Sequence, residues 1–343
     1  MSETDEASAA EEVASQTVRF QFHGDGREFF RIWIVNLVLT LLTLGIYSAW
    51  AKVRTKRYFY GNTELAGDRF DYLASPIAIL KGRIIAVAFL GIYTLVSYFA
   101  ATFSFVLFIS LMLVMPFVVM RAIRFNAVMS IWRGVRFGFS GELLSGYKTI
   151  LLWPLFGIVT FGFGMPYAWH KQNQYLYNNY AYGQTGAGTS ATASDFYTVF
   201  FMVMFASIAG GFVFFVLPPL PGESIALLIL VGVGYLAFYV LIYVVFQSTY
   251  FCAVYNNVHI KGNRLQTDVT IRGLFAVVFP NTIFTILTLG LYYPWAAVRL
   301  ARYMQAHLWI EAVNLDDFVA AERAKESALG DEIGEAFDLG IGI

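Results

Sequence analysis

Hydrophobic and polar positions follow two periods along this chain, and the two alternate. Val18-Arg19-Phe20-Gln21-Phe22 sets apolar against polar residues and stops at Gly24 and Gly26, which predicts a short half-buried strand. An apolar segment from Phe29 to Trp50 follows, with Asn36 in its middle and a Thr43-Leu44-Gly45 break, and it passes into a basic stretch with Lys52, Arg54, Lys56 and Arg57. Tyr60 to Tyr72 reads as a β-hairpin turning at Gly67-Asp68. Ile84 to Met120 carries no charge and, at about 37 residues, suits two bilayer crossings folded at Ala101–Ser104. A second apolar pair, Phe196–Leu217 and Ile225–Phe246, is broken by Pro218-Pro219-Leu220-Pro221-Gly222-Glu223.

The pattern then recurs. Leu42–Tyr58 and Leu287–Tyr303 share 11 identical residues without a gap, among them both arginines and both tyrosines. A middle copy stands 117 residues after the first: Thr160 falls on Thr43, Lys171 on Arg54, Tyr175 on Tyr58, and Phe137, Phe139 and Gly141 on Phe20, Phe22 and Gly24. Asn281 occupies in the third copy the place of Asn36 in the first. Tyr255 to Leu265 resembles the Tyr60–Phe70 hairpin. Repetition at constant offset predicts an architecture of internal repeats. The expected division is an acidic, disordered tail (1–16), a first unit (17–125), a second (133–254), a partial third (255–318) and a polar C-terminal tail (319–343). A Gly/Thr/Ser/Ala linker is expected from Gly183 to Ser194.

Composition fixes the class. Of 343 residues 58% are hydrophobic and only 13% charged, with a mean hydropathy of +0.61; soluble domains carry about 25% charged residues. The expected fold is mainly α: a polytopic integral membrane helical bundle built from internal repeats, with short cytoplasmic β-strand and hairpin pieces. Residues 1–16 have no positive region and no apolar core, so no cleavable signal peptide is expected. The one cysteine, Cys252, excludes an intramolecular disulfide framework. Net charge is zero, so no nucleic-acid partner is expected.

Charge placement leaves two topologies open. Lys81, Arg83, Arg121 and Arg124 bracket the first apolar pair, and Lys261 and Arg264 follow the second, so both pairs enter from the cytoplasm and return to it. The three motif segments have basic residues on both flanks. Either each is re-entrant, turning at its Thr-Leu-Gly break with Trp50 and Trp295 near the interface, or seven full spans form inverted repeats.

No catalytic constellation, cofactor motif or metal-ligand spacing is present, and the four histidines are scattered. The apolar segments contain no Asp or Glu, which argues against ion-coupled transport. Arg54, Arg57, Lys171, Arg299 and Arg302, with Trp50 and Trp295, are candidates for lipid-headgroup contact, against a plain role as topology determinants. Asn36, Asn281, Thr43 and Thr288 are candidate intramembrane polar residues; the asparagines either bridge helices or line a path.

Thr43-Leu44-Gly45-Ile46-Tyr47-x-x-Trp50-Ala51-x-x-Arg54-x-x-Arg57-Tyr58, preceded by Phe20-x-Phe22-x-Gly24, resembles the YjgN-like family of bacterial inner-membrane proteins, a domain of unknown function. The middle copy departs from the motif, with Tyr167 in place of the tryptophan and Gln174 in place of the second arginine. The resemblance implies a multi-pass protein of the bacterial inner membrane, its N-terminus cytoplasmic, with no established activity. The expected function is non-enzymatic transport or lipid handling, with membrane lipids as partners. The alternative is a structural or assembly protein that docks a cytoplasmic partner, or a further copy of itself, through the strand pieces.

Overall fold

The computed structural model describes residues 16–99, 101–216 and 224–325. The acidic tail before Gln16, the Pro218–Glu223 break and the end of the polar tail lie outside the described residues. Strand β1 (Gln16–Phe22) leads into helices α1 (Gly26–Leu42) and α2 (Ser48–Gly61), and the chain returns through β2 (Thr63–Leu65) and β3 (Asp68–Tyr72). Helices α3 (Pro76–Phe99) and α4 (Ala101–Val128) precede β4 (Ser130–Trp132) and β5 (Val135–Phe139). Next come α5 (Leu143–Val159, with a π turn at Lys148–Leu152), α6 (Met165–Tyr177), β6 (Tyr180–Tyr182), β7 (Thr185–Gly186) and β8 (Gly188–Thr189). Helices α7 (Ala193–Val216) and α8 (Ile225–Tyr255), strands β9 (Val258–Ile260) and β10 (Asn263–Thr267), helices α9 (Ile271–Leu287) and α10 (Tyr293–Ala306), and β11 (Leu308–Ala312) follow. A last helix, α11, covers 315–325.

All eleven strands belong to one antiparallel sheet, ordered β7-β6-β5-β4-β3-β2-β1-β11-β10-β9-β8. Its two ends are the same stretch of chain. β7 pairs with β6 and β8 with β9, and only Ala187 separates them, its amide bonded to Tyr180 O at 2.7 Å. The sheet therefore curls into a near-closed barrel, which leaves few unpaired edges to satisfy.

Five paired positions mark one end of this barrel: Phe22 with Thr63, Tyr72 with Ser130, Phe139 with Tyr180, Thr189 with Val258, and Thr267 with Leu308. A helical hairpin rises from each pair, so α1/α2, α3/α4, α5/α6, α7/α8 and α9/α10 all leave and rejoin the barrel at the same end. Neighbouring hairpins touch in order, α2 on α3, α4 on α5, α6 on α7, α8 on α9, and α10 on α1. Among the described residues, only α3, α4, α7 and α8 are long and apolar enough to cross a membrane; α5 and α9 are apolar but shorter. None of the most apolar window of α3 is buried within the protein. Side chains such as Ile85, Tyr98 and Phe99 must be covered by something other than this chain, and lipid is the solvent that suits them.

The opposite end holds the tight turns. Ala66-Gly67, Arg133-Gly134 and Lys261-Gly262 each place two successive residues at positive φ, the type I′ geometry that matches strand twist. Helix α11 caps this end. Its Phe318 and Val319 join Leu65, Trp132, Val135 and Tyr182 in one buried cluster. Arg133 ties three pieces together, donating to Asp68, Ala66 O and Asp316, while Arg323 donates to Arg133 O. Glu322, fully buried, accepts from Gln184 N, Thr185 N, the Thr185 hydroxyl and Lys325.

Burial pushes the Glu322 carboxyl up, but bonds from Lys325, Thr185 and the Gln184 amide outweigh it and hold it below the ordinary range. A carboxylate with a depressed native pKa stabilises fully above its unfolded value and loses that contribution as pH falls. Glu322→Gln should therefore weaken the cap by about 1–3 kcal/mol at neutral pH. The wild-type advantage should begin to shrink as pH falls through about 4, the unfolded value, and close only below the lower native one, read as progressive convergence of the two unfolding midpoints in a pH series.

Several sequence expectations are corrected. The strand pieces are not separate: they pair with one another, because each alone would leave its backbone polar groups unsatisfied. The edges that would have docked a partner are largely used up in this pairing. The first hairpin turns at Ala66-Gly67, one residue before Gly67-Asp68, since the type I′ turn needs positive φ at both central residues and Asp68 already pairs with Leu65. The Gly183–Ser194 linker contains β7 and β8 and closes the sheet. Ala101–Ser104 is already helical in α4. The Tyr255–Leu265 hairpin is the counterpart of β4–β5, lying between a helix pair and a motif hairpin, and not of β2–β3. Gln16 belongs to β1, not to the tail.

Candidate functional site

The hinge between the two helices of each motif hairpin is built the same way three times. Leu44-Gly45, Phe161-Gly162 and Leu289-Gly290 all take positive φ. The glycine amides donate to Thr40 O, Gly157 O and Thr285 O, bonds that close a helix end through a left-handed cap. The threonine just before is fully used. Thr43 Oγ1 donates to Leu39 O and accepts from Tyr47 N, and Thr160 and Thr288 do the same with Phe156 O and Gly164 N, and with Phe284 O and Tyr292 N. Thr43 and Thr288 are thus turn clamps. The tip residues Leu44, Phe161 and Leu289 are 95%, 94% and 94% exposed.

Lower on each hairpin the motif tyrosine pins the second helix to the start of the first. Tyr58 exchanges bonds with the Asp25 backbone at 2.7 and 2.8 Å, Tyr175 donates to Glu142 O at 3.0 Å, and Tyr303 bonds Thr270 at 3.4 Å. The second motif arginine is a staple between hairpins. Arg57 donates to Tyr72 O and Ala74 O at the entry to α3, and Arg302 donates to Gly24 O at the entry to α1. Arg124, at the end of α4, does the same toward Phe139 O. The first motif arginine stays within its own hairpin: Arg54 donates to the Tyr47 hydroxyl at 3.1 Å and Arg299 to that of Tyr292 at 3.2 Å.

Two clefts open on the first hairpin. One, of about 490 Å³, is lined by Arg31, Arg54 and Arg57 together with Ile32, Val35 and Tyr58. The other, of about 360 Å³, is lined by Asn36, Thr40, Lys52, Lys56, Trp33 and Tyr293, among others. The third hairpin has a matching cleft of about 450 Å³ around Asn281, with Thr282, Thr285, Ala297 and Ala301. Asn281 is bonded there, accepting from Arg299 at 3.2 Å and donating to Ala296 O at 3.4 Å. Asn281 on α9 thus bonds across to α10, whereas the Asn36 amide has no partner among the described residues.

The remaining candidates stand apart. Trp50 stacks on Tyr47, while Trp295 stacks on Tyr292 and on Phe30 of α1. Lys171 on α6 meets Gln174 and the Tyr167 ring. Arg31, Lys52 and Lys56 are not among the sequence candidates, because the motif does not extend to Arg31 and the lysines occur in the first motif hairpin only. The tyrosine pin carried a usable signal: tyrosine and helix-start residue stand 33 apart in all three motif hairpins. Among the described residues no group of His, Cys, Asp or Glu is placed to hold a metal ion.

Curated relatives agree with the membrane reading. The chain is 33% identical over 144 residues to inner membrane protein YjgN of Escherichia coli (strain K12), and equally to that of Escherichia coli O157:H7; the match covers 42% of this chain and 36% of each relative. The Salmonella typhimurium protein of the same name is 34% identical over 119 residues, 34% of this chain and 30% of its own length. The matched part is thus about a third of each of those proteins. No solved structure matches the chain. The model of the family described as "Bacterial protein of unknown function (DUF898)" matches residues 17–336, so the chain belongs to that family.

Proposed function

We propose that this is a non-enzymatic lipid-handling protein of the bacterial inner membrane, built from two full copies and one partial copy of a strand, motif-hairpin and helix-pair unit. The carrying observation is the outer cleft of the first hairpin, which Arg31, Arg54 and Arg57 line together with Ile32, Val35 and Tyr58. Arg57 is held by backbone carbonyls and Arg54 by one hydroxyl, while Arg31 has no partner among the described residues. Planar guanidinium groups and apolar side chains lining one cleft suit the phosphate and acyl chain of an anionic phospholipid. In this reading α3, α4, α7 and α8 cross the bilayer, and the three motif hairpins are re-entrant, pressing Leu44, Phe161 and Leu289 into lipid. The positive charge around the hairpin roots supports a cytoplasmic barrel and N-terminus. Seven full spans fit poorly, since the strands flanking each motif hairpin are hydrogen-bonded neighbours. Docking of a partner strand is less favoured, because the sheet closes on itself.

Native mass spectrometry of the purified protein tests this. Wild type should retain anionic phospholipid, and the Arg31→Gln/Arg54→Gln double variant should retain at least about tenfold less, as expected for losing two charge-assisted contacts. Equal lipid retention in both proteins would remove the outer cleft as a headgroup site.

A further inference from the structure

We propose that the inner cleft of the first hairpin is a separate binding site for a phosphate group, held by Asn36 and Lys52, with Lys56 adding positive charge alongside and with apolar matter of the same ligand lying against Trp33 and Tyr293. Asn36 is 4% exposed, lines the cleft, and neither its Oδ1 nor its Nδ2 has a partner. A buried amide without a partner is costly, and such groups in native structures call for an explanation. Lys52 makes no hydrogen bond or ion pair among the described residues, and no carboxylate is paired with Lys56. Lys56 Nζ reaches the neutral Asn126 Oδ1 at 2.6 Å and the face of Tyr72 at 4.6 Å. The cleft is thus lined by an unpartnered amide and the unpartnered Lys52, with the Lys56 ammonium held alongside on Asn126, which does not line the cleft, and with no anion among the lining residues.

The other two copies show that this is not a requirement of the fold. In the third copy the lysine positions are Ala297 and Ala301, and Asn281 satisfies itself on Arg299 and Ala296. In the second copy Trp153, Trp169 and Asn173 take the places of Asn36, Lys52 and Lys56, and Asn173 donates to Trp169 O and the Tyr250 hydroxyl. Only the first copy combines an unsatisfied amide with two cations. A phosphate supplies what they lack: several acceptor oxygens and negative charge. It could belong to a lipid headgroup or to a free phosphate-bearing solute.

Thermal unfolding of the full-length protein in detergent, titrated with inorganic phosphate and separately with dihexanoyl phosphatidic acid, tests the site. Wild type should be stabilised by the short-chain lipid. Stabilisation by phosphate as well assigns the site to the phosphate group itself, and stabilisation by the lipid alone assigns it to a headgroup with its chains. Lys52→Gln should weaken binding at least about tenfold. Asn36→Leu should do the same while unfolding no lower than wild type without ligand, because it removes an unsatisfied amide. Asn281→Leu should lower stability by removing the bonds that tie α9 to Arg299 and Ala296 of α10. The proposal is overturned if neither compound stabilises wild type, if Lys52→Gln and Asn36→Leu bind like wild type, or if ligand-free Asn36→Leu is less stable. It is also overturned if binding is lost only in Arg31→Gln/Arg54→Gln, which would place the phosphate in the outer cleft.

Discussion

Tyr182→Ala is expected to lower stability by about 3–5 kcal/mol, the range for truncating a buried aromatic residue. Tyr182 is 4% exposed and stands where the closing strands, the turn end and the cap helix meet. Its ring lies 5.2 Å from Phe137, 5.8 Å from Trp132 and 5.7 Å from Phe318. Its hydroxyl donates to Trp132 O at 3.0 Å. Truncation opens a void between β4, β5, β6 and α11 and leaves a buried carbonyl short of a donor. Tyr98→Ala is the matched control, since Tyr98 is 83% exposed on α3. Thermal unfolding in detergent should show a large drop for Tyr182→Ala and little change for Tyr98→Ala. Equal shifts would mean that the barrel core does not govern stability.

Gly141→Val should be the next most damaging change, at about 1–3 kcal/mol or more from overpacking. A Cβ at Gly141 would fall on the Tyr175 hydroxyl and lie 2.7 Å from Phe139 Cε1. Those two groups are the pin of the second hairpin and the last residue of β5, so neither can withdraw without opening the hairpin root. At Gly91 on α3 a Cβ meets nothing within 4 Å, and Gly91→Val should be neutral or slightly favourable, since glycine is a poor helix residue. Circular dichroism melts of the two variants separate these cases. A loss of stability at Gly91 as large as at Gly141 would contradict the packing described for the root.

Much of this architecture could be read from the residues. Alternation at Val18–Phe22 and the charge-free run before Arg121 predicted a strand and a helix pair, and the Thr43-Leu44-Gly45 break predicted the hinge, because each signal is local. Closure of the sheet was not readable. The run Thr185–Thr189 is glycine- and threonine-rich, and two-residue strands are too short to show a period of two. Arg57 and Arg302 looked like lipid-facing cations for a similar reason. Their acceptors lie 15 and 278 residues away, on carbonyls that only the ring of hairpins brings near. Asn36 and Asn281 were indistinguishable as repeated residues, and their difference arises from neighbours. Arg299 satisfies the second, while the amide of the first is left unpaired beside Lys52 and Lys56.

The central claim is that every helical hairpin leaves and rejoins one end of a single barrel, so the whole sheet lies on one side of the membrane. Arg69 on β3 and Arg264 on β10 are both exposed, and in a seven-span arrangement they would face opposite sides. Each can be replaced by cysteine in a Cys252→Ala background and treated with a membrane-impermeant maleimide, in spheroplasts and in inverted vesicles. Arg69→Cys and Arg264→Cys should both be protected in spheroplasts and both labelled in inverted vesicles. Labelling of one from outside and the other from inside would contradict placement of the whole sheet on one side.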